Sequence, residues 1–476
     1  MKNQVGKKSG LKKLLPLLFT FGVGIVLWFL PMPVGMNEQG WHVLAIFIAT
    51  IVGIIARPLP MGGVAILSIG VLSLTGTLTI EQGLSGFGLP TVWLVVAAFF
   101  IARAFVITHL GTRIAYYFVR TFGKSALGLS YSLIFSEMIL APAIPSTAAR
   151  SGGIMFPIIN GLSRALNSKP HDISARDMGA FLILTSFHGC MIVSAMFLTA
   201  MAGNPVVAKL AMNEGVEITW GSWALGALVP GICSLIVIPL VIYGVSTPRM
   251  KSVPDARHFA DSKLGELGKM KKKEYILLVV FVALIVFWIF GRFIGIDTVT
   301  TALLGLSVLL LTNVLNWQDV IEEKGAWETL IWFSTLLTLA GYLNTYGVIG
   351  YFSEFVVGHI SGMDWVWALL LLGLIYFYSH YLFASNTAHI GAMYGAMLAV
   401  AIGLGAPGFL AAIFLGYLSN LFGSLTHYGA SPAPVLFGAG YVGVKEWWKV
   451  GALVSAVNLI IWVLIGGAWW KFLGYW

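Results

Sequence analysis

Long apolar runs, separated by short polar turns, dominate the chain. Runs of this length predict helices that span a membrane. They exclude a β-barrel, whose strands are short and alternate apolar with polar positions. In the first half the runs lie at about 14–30, 41–57, 60–78, 91–110, 178–202 and 222–245. In the second half they lie at about 275–295, 297–316, 327–345, 408–425 and 447–472.

Each half also contains one long apolar stretch that small polar residues interrupt in its middle. The first stretch, 126–160, carries PSTAARSGG, and the second, at about 364–402, carries SNTAHIGAM. Pro142 and Pro145 remove backbone donors that a helix needs, whereas Ser-Asn-Thr at 385–387 favours local side-chain-to-backbone hydrogen bonds. The Thr-Ala pair keeps its register roughly half the chain apart, so we interpret the two stretches as equivalent parts of a repeat.

The charge pattern predicts that these interrupted stretches are re-entrant hairpins. Basic residues cluster at 1–13 and 247–273, and the positive-inside rule places both segments in the cytoplasm. Six apolar runs separate the clusters, which is an even number, so the stretch at 126–160 has to return to the side it came from. We therefore predict an all-α polytopic membrane protein with about eleven spans, two hairpins and an outward C-terminus. Because the run at 14–30 stands outside the repeat, the two halves are inverted.

The repeat also predicts how the chain divides. Two amphipathic segments, 112–123 and 346–360, are too polar to span and are expected to be linking helices at the surface. The predicted regions are N-terminal scaffold helices (1–110), a first transport region (111–245), a basic cytoplasmic loop (246–274), second scaffold helices (275–345) and a second transport region (346–476).

Composition narrows the class of protein further. Hydrophobic residues make up 58% of the 476 residues and charged residues 10%, which is too apolar for a soluble domain. The net charge of +9 would also suit nucleic acid, but the flanking apolar runs favour a membrane surface. Cys190 and Cys233 lie in apolar runs without metal-site spacing, so these residues predict no metal or cofactor. The absence of HExxH and GxSxG motifs argues against a membrane-embedded enzyme.

A second polar break follows each hairpin, at 199–206 and 426–435. Lipid cannot satisfy the backbone groups that such breaks free, so they are expected to line a shared cavity rather than a continuous channel. Hydroxyl and amide donors at broken helices suit carboxylates, and one cluster in each half suits a substrate with a carboxylate at both ends. The predicted substrate-binding residues are Ser146, Thr147, Asn204, Ser385, Asn386, Thr387, Ser431 and Pro432.

A dianion in a membrane-embedded site needs compensating positive charge. Sodium ions would supply it, or fixed cations would, and the candidates are Arg150, His389 and His427. Arg150 is the strongest candidate because an unpaired arginine inside a membrane is costly, although Glu137 would neutralise it. A lone histidine in a membrane helix is alternatively a packed, hydrogen-bonded residue.

The strings PAIPSTAAR, SNTAH and SPAP resemble those of the divalent anion/sodium symporter family. The pattern is most similar to its exchanger branch, which includes plastid 2-oxoglutarate/malate translocators and bacterial dicarboxylate/citrate antiporters. The family's paired Ser-Asn-Thr signature falls on Pro145-Ser146-Thr147 and on Ser385-Asn386-Thr387, and its Thr-Pro on Ser431-Pro432. Pro for Ser and Ser for Asn in the first copy are departures that the exchanger branch tolerates.

This resemblance implies a homodimer held by scaffold helices and an elevator-type movement of the site. It implies sodium-independent exchange of small dicarboxylates such as 2-oxoglutarate, malate, succinate and fumarate. Sodium-coupled di- or tricarboxylate symport is the alternative. The expected partners are the substrate, the lipid bilayer and a second copy, without nucleic acid. No Ser/Arg-rich transit peptide precedes the first run, so we expect a multi-pass protein of the plasma (inner) membrane.

Overall fold

The computed structural model describes residues 10–360 and 362–476, and every regular element in this part is helical. Eight of the described helices are long and apolar enough to cross a membrane, and four shorter apolar helices accompany them. The prediction of an all-α polytopic membrane protein is therefore confirmed. Most of the basic segment at 1–13 lies outside the described residues.

The helices before the basic loop follow the predicted runs closely. They are α1 (Gly10–Phe29), α2 (Glu38–Ala56), α3 (Met61–Leu74), α4 (Ile80–Gly83), α5 (Pro90–Thr108), α6 (Leu110–Phe122), α7 (Ala126–Leu140), α8 (Phe156–Ala165), α9 (Gly179–Met196), α10 (Gly203–Asn213) and α11 (Trp220–Val245). The run predicted to reach residue 78 ends at Leu74, because Gly76 adopts a positive φ of 66° and turns the chain.

The remaining helices repeat this order after one helix that the sequence did not predict. They are α12 (Asp255–Leu267), α13 (Lys272–Phe290), α14 (Thr298–Leu311), α15 (Trp317–Glu322), α16 (Lys324–Thr345), α17 (Val348–Ile360), α18 (Trp365–Tyr378), α19 (Asn386–His389), α20 (Gly395–Gly403), α21 (Gly408–Leu421), α22 (Ala433–Gly438), α23 (Val444–Ile460) and α24 (Gly467–Phe472). Helix α12 lies in the basic loop, where no helix was predicted, and packs on α6.

The first hairpin begins and ends against the basic loop. At its start, the Ala126 amide donates to the Lys251 carbonyl at 3.1 Å. At its end, a Cβ added to Gly161 would lie 3.0 Å from the ring of Phe259 in α12. The chain therefore returns to the side from which it came, as the predicted re-entrant hairpin requires.

The second hairpin begins and ends at the opposite end of the molecule. Its first residue, Trp365, packs on Trp476 with ring centroids 5.8 Å apart. Just beyond its end, Phe409 packs on Tyr475 at 4.7 Å. The helical run 444–472 crosses from the end of the molecule that holds the basic loop to the end that holds the second hairpin's termini. Its first turn lies beside the basic loop, because Ser246 Oγ donates to Glu446 at 2.7 Å. The two halves are thus inverted relative to each other.

Both hairpins are built in the same way. In each, a helix ends in a 3₁₀ turn (Ala141–Ala143 and Ser379–Leu382), the chain breaks, and the returning helix contains a π-helical segment (Ala148–Met155 and Ile390–Tyr394). Short π-helical segments are rare in proteins, and those that occur often lie at functional sites. This matched sequence of elements supports the reading of the two stretches as repeats.

Serine side chains start both returning helices. Ser146 Oγ accepts from the Ala149 amide at 3.2 Å, and Ser385 Oγ accepts from the Ala388 amide at 3.4 Å. These caps satisfy backbone donors that have no partner within the helix. In the Thr-Ala register Pro145 takes the place of Ser385 but has no side-chain acceptor, so the first cap falls one residue later.

Gly451 allows α23 to pass directly over the residues that lead into the second break of the second half. A Cβ added there would lie 2.7 Å from the Leu425 carbonyl and 2.9 Å from the Ser424 carbonyl. These are backbone atoms, which cannot move aside without shifting the break. We expect Gly451→Ala to lower the midpoint of thermal unfolding of the detergent-solubilised protein.

Gly467→Ala in α24 is the matched control, because no atom lies within 4 Å of the added Cβ. It should leave the midpoint unchanged or raise it slightly, since alanine favours a helix over glycine by roughly 0.5–1 kcal/mol. Equal midpoints for the two variants would show that the close passage at Gly451 is unimportant.

Candidate functional site

Residues from both hairpin tips line one cavity of about 210 Å³. Thr147 from the first tip and Thr387 from the second, although far apart in sequence, line the same hollow. The hairpins and breaks contribute Pro145, Ser146, Thr147, Met201, Ala202, Ser385, Asn386, Thr387 and Ser431. Helices α3, α5 and α16, which lie in the regions predicted to be scaffold, contribute Met61, Phe99, Gly325, Glu328, Thr329 and Trp332.

The two threonine hydroxyls at the hairpin tips are free donors in this cavity, as are the hydroxyls of the lining residues Thr329 and Ser431. Neither Thr147 Oγ1 nor Thr387 Oγ1 has a hydrogen-bond partner among residues 10–360 and 362–476. The Ser146 and Ser385 oxygens accept capping bonds, which leaves their hydroxyl hydrogens available. Each tip therefore presents uncharged donors beside the start of a helix, where backbone amides favour anions.

Asn386 lies on the cavity wall, but its amide donor is already engaged. Its Nδ2 donates to the carbonyls of Ser419 at 3.1 Å and Asn420 at 3.4 Å. The sequence suggested that this amide donates to the substrate. In the structure it instead holds the second hairpin tip against α21, and only its oxygen remains unengaged.

Asn204 and Pro432 do not line the cavity. Asn204 is fully buried, and its Nδ2 donates to the carbonyls of Ser194 (2.8 Å) and Phe197 (2.9 Å). Its Oδ1 accepts from Asn420 Nδ2 at 2.8 Å, so this pair joins the broken helices of the two halves. Pro432 is buried next to the cavity-lining Ser431. Both residues lie in the second breaks, next to or hydrogen-bonded within the segments that line the cavity.

Arg150 is fully buried behind the first hairpin tip and does not line the cavity either. Its Nε lies 3.1 Å from Glu137 Oε1, and its Nη1 donates to the carbonyls of Ile144 (2.6 Å) and Ala200 (2.8 Å). Its Nη2 donates to Ser194 Oγ at 2.8 Å. Arg150 thus ties the hairpin break to the second break, with Glu137 as its counter-charge.

The two candidate histidines also lie off the cavity wall. His389 is fully buried, with its ring stacked 4.3 Å from Phe383 and 4.5 Å from Phe422. His427 is partly exposed and pairs with Trp448, whose Nε1 donates to Nδ1 at 3.0 Å. None of the three predicted cations therefore reaches the cavity, because spacing along the chain does not fix the direction in which a side chain points.

Helices α3, α5 and α16 supply a wall of the cavity that the sequence did not predict. Glu328 lies near the start of α16, at a predicted span end where acidic residues are expected to be solvated. In the structure its side chain lines the cavity and has no ion-pair partner in the described part of the chain. Phe99 and Trp332 add an apolar surface beside it. No signal in the sequence linked these residues to the hairpin tips.

An inverted helical repeat whose re-entrant tips meet at one polar cavity is the architecture of a secondary transporter. The family model for the sodium:sulfate symporter transmembrane region matches residues 11–476. The chain therefore belongs to this family of divalent anion and sodium symporters, and the resemblance drawn from the motifs is confirmed.

Named relatives cover almost all of the chain. The putative malate transporter YflS of Bacillus subtilis is 54% identical over 472 residues, which is 99% of this chain and 98% of that protein. Dicarboxylate transporter 1 from the chloroplast of Spinacia oleracea is 52% identical, covering 97% of this chain and 82% of that one. The inner membrane protein YbhI of Escherichia coli is 36% identical, covering 98% and 99%.

A solved structure supports the fold alone. The crystal structure of the YdaH transporter of Alcanivorax borkumensis superposes with a TM-score of 0.56 at 15% identity, covering 97% of each chain. At this identity the likeness concerns the arrangement of helices and carries no information on the substrate.

Proposed function

We propose that the protein carries small dicarboxylates such as malate, 2-oxoglutarate, succinate and fumarate across the membrane by exchange. The observation that carries this proposal is the pair of free hydroxyls, Thr147 and Thr387, one from each half, in a single cavity. Each hydroxyl, with the helix start beside it, suits one carboxylate group. The names of the relatives, a putative malate transporter and a dicarboxylate transporter, support the same substrate class.

The rest of the wall suits the middle of such a substrate. Met61, Phe99 and Trp332 from the scaffold present apolar surface to the same cavity. A short carbon chain lying between two carboxylates would contact this surface while both ends meet the hairpin tips. Because hydroxyl donors do not discriminate between acids of similar length, we expect several four- and five-carbon diacids to share the site.

Transport by an elevator movement is part of the proposal. Arg150, the Asn204–Asn420 bond and Asn386 connect both hairpin tips, the second break of the first half and α21 through buried hydrogen bonds. These elements would therefore move as one body along α3, α5 and α16, with α6 and α17 as links, following the five regions predicted from the repeat. We propose a homodimer in the plasma membrane, with the loop at 246–274 in the cytoplasm and the C-terminus outside.

Exchange in purified, reconstituted protein tests this function. Vesicles preloaded with malate should accumulate labelled 2-oxoglutarate, whereas unloaded vesicles should not, because the empty site would not cross. Uptake should be the same with sodium or with potassium as the only cation, since we propose no resident cofactor. Protein-free vesicles loaded with malate serve as the control.

Two results would contradict this proposal in different ways. Sodium-driven uptake into unloaded vesicles would establish the alternative, sodium-coupled symport. Failure of every four- to six-carbon diacid to exchange would remove dicarboxylates as the substrate class.

A further inference from the structure

Two buried histidines in the second hairpin form a hydrogen-bonded pair next to the cavity-lining tip. His380 Nδ1 and His389 Nδ1 lie 3.0 Å apart. The outer nitrogens also have partners: His380 Nε2 lies 3.0 Å from the Gly429 carbonyl, and His389 Nε2 lies 3.1 Å from Ser379 Oγ. Both rings are fully buried, so every ring nitrogen depends on these partners.

With two ring protons, every ring nitrogen of this pair has a hydrogen-bond partner. The Gly429 carbonyl only accepts, so His380 Nε2 carries a hydrogen. His380 Nδ1 then accepts from His389 Nδ1. His389 Nε2 is left as an acceptor, and the Ser379 hydroxyl donates to it. Two neutral imidazoles therefore leave no ring nitrogen unpaired.

With three ring protons, every ring nitrogen of the pair again has a hydrogen-bond partner. A hydrogen on His389 Nε2 would donate to Ser379 Oγ, and the hydroxyl hydrogen would turn to the Tyr376 carbonyl, which lies 2.9 Å from Oγ. The pair then carries one positive charge. Rotation of a single hydroxyl thus accommodates either number of protons, which a merely structural pair does not require.

We propose that His380 and His389 form a binding site for one proton, taken up from solution when a dianionic diacid fills the cavity and released when it leaves. This inference rests on the proposed function. His389 follows Asn386 by about one helical turn, roughly 4.5 Å of rise, and Gly429 lies two residues before Ser431. The rings therefore touch two elements that carry the cavity wall.

The charge balance of the cavity explains why a proton is needed. The described part of its wall includes no lysine, arginine or histidine, and Glu328 adds a negative charge. A buried dianion without compensation is strongly unfavourable. One proton on the histidine pair reduces the net charge of each loaded crossing from −2 to −1. When one diacid is exchanged for another, the two protons move in opposite directions and no net proton flux results.

The surroundings of the two rings contain no competing charge. Tyr376 packs on His389 with ring centroids 4.8 Å apart, and the elements around the two rings also carry Tyr378, Tyr381, Tyr394, Tyr417, His427 and Tyr428. No aspartate, glutamate, lysine or arginine forms a hydrogen bond or ion pair with either ring within residues 10–360 and 362–476. Phe422 stacks 4.1 Å from His380 and 4.5 Å from His389, and an aromatic face attracts a cation.

Calorimetry of malate binding to the detergent-solubilised protein, in two buffers with different ionisation enthalpies, counts the protons taken up. The pH is chosen so that free malate is fully ionised. We expect wild-type protein to take up about one proton per malate bound, and His380→Gln and His389→Gln to lose this uptake. Ser379→Ala, which keeps both imidazoles, should lose most of it. His359→Gln, at an exposed histidine of α17, should retain it.

The outcomes separate this inference from the proposed function. Malate binding without proton uptake, or uptake unchanged in Ser379→Ala and both histidine variants, would overturn the proton site and leave dicarboxylate transport standing. Binding that requires sodium and takes up no proton would do the same. Failure of wild-type protein to bind malate or any other four- or five-carbon diacid would overturn the proposed function, and the proton site with it.

Discussion

Replacing Arg150 by methionine should destabilise the protein by about 3–5 kcal/mol, the usual cost of removing one partner of a buried ion pair. Arg150 and Glu137 are 0% and 1% exposed at the side chain, so the remaining carboxylate would have no access to water. Its second oxygen, Oε2, already lacks a hydrogen-bond partner. We also expect exchange to be lost, because the hairpin break and second break would no longer be tied together.

The double variant Glu137→Gln/Arg150→Met separates the two effects. It should recover much of the lost stability, since no buried charge remains, but not the exchange activity, since the bonds to Ile144 and Ala200 are still absent. Arg120→Met is the matched control: its ion pair with Asp261 is about half exposed and should contribute less than about 1 kcal/mol. Thermal unfolding of the purified variants measures the difference. Wild-type stability in Arg150→Met would contradict the structural role.

Replacing Thr147 or Thr387 by valine should weaken dicarboxylate binding about 10- to 150-fold each. This range corresponds to the 1.5–3 kcal/mol that a hydrogen bond to a charged group contributes. Valine has nearly the same shape as threonine, and neither hydroxyl has a protein partner in the described chain. The loss should therefore appear in binding and not in unfolding, and the double variant should lose roughly the product of the two factors.

Thr121→Val provides the control, because this exposed threonine of α6 bonds only to its own helix carbonyl at Tyr117. Calorimetric titration with malate and 2-oxoglutarate gives the affinities. If both Thr147→Val and Thr387→Val bind these acids as wild type does, the substrate lies elsewhere. If only one of them loses affinity, the idea that each half holds one carboxylate is wrong.

Local chemistry made much of the fold predictable from sequence. Pro142, Pro145 and the Ser-Asn-Thr string interrupt helices through local effects on the backbone. The even number of apolar runs between the two basic clusters then predicted the hairpin topology. The serine caps at Ser146 and Ser385 follow from the same local rules. These features depend on residues within one or two helical turns, which is the range over which a single sequence is informative.

The site could be predicted only in part, because its remaining features depend on distant contacts. Spacing placed Arg150 near the tip but did not show that its side chain points towards Glu137 and away from the cavity. Glu328 and Phe99 reach the cavity from scaffold helices that no motif connects to the hairpins. The helix α12 was missed because its composition is that of a polar loop, and the few apolar residues that pack it on α6, such as Phe259 against Tyr116, form no helical pattern that stands out in sequence.

The π-helical segments in the two returning helices have a mechanical consequence. A π-helical turn holds one residue more than an α-helical turn, so converting one into the other shifts the chain by about one residue, roughly 1.5 Å of rise, without unwinding the helix. The helix that follows each hairpin tip thus contains a segment whose length would change by this amount on conversion. Diacids that differ by one methylene group differ in length by a similar amount, so we expect this conversion to let one pair of tips hold the proposed substrates of either length.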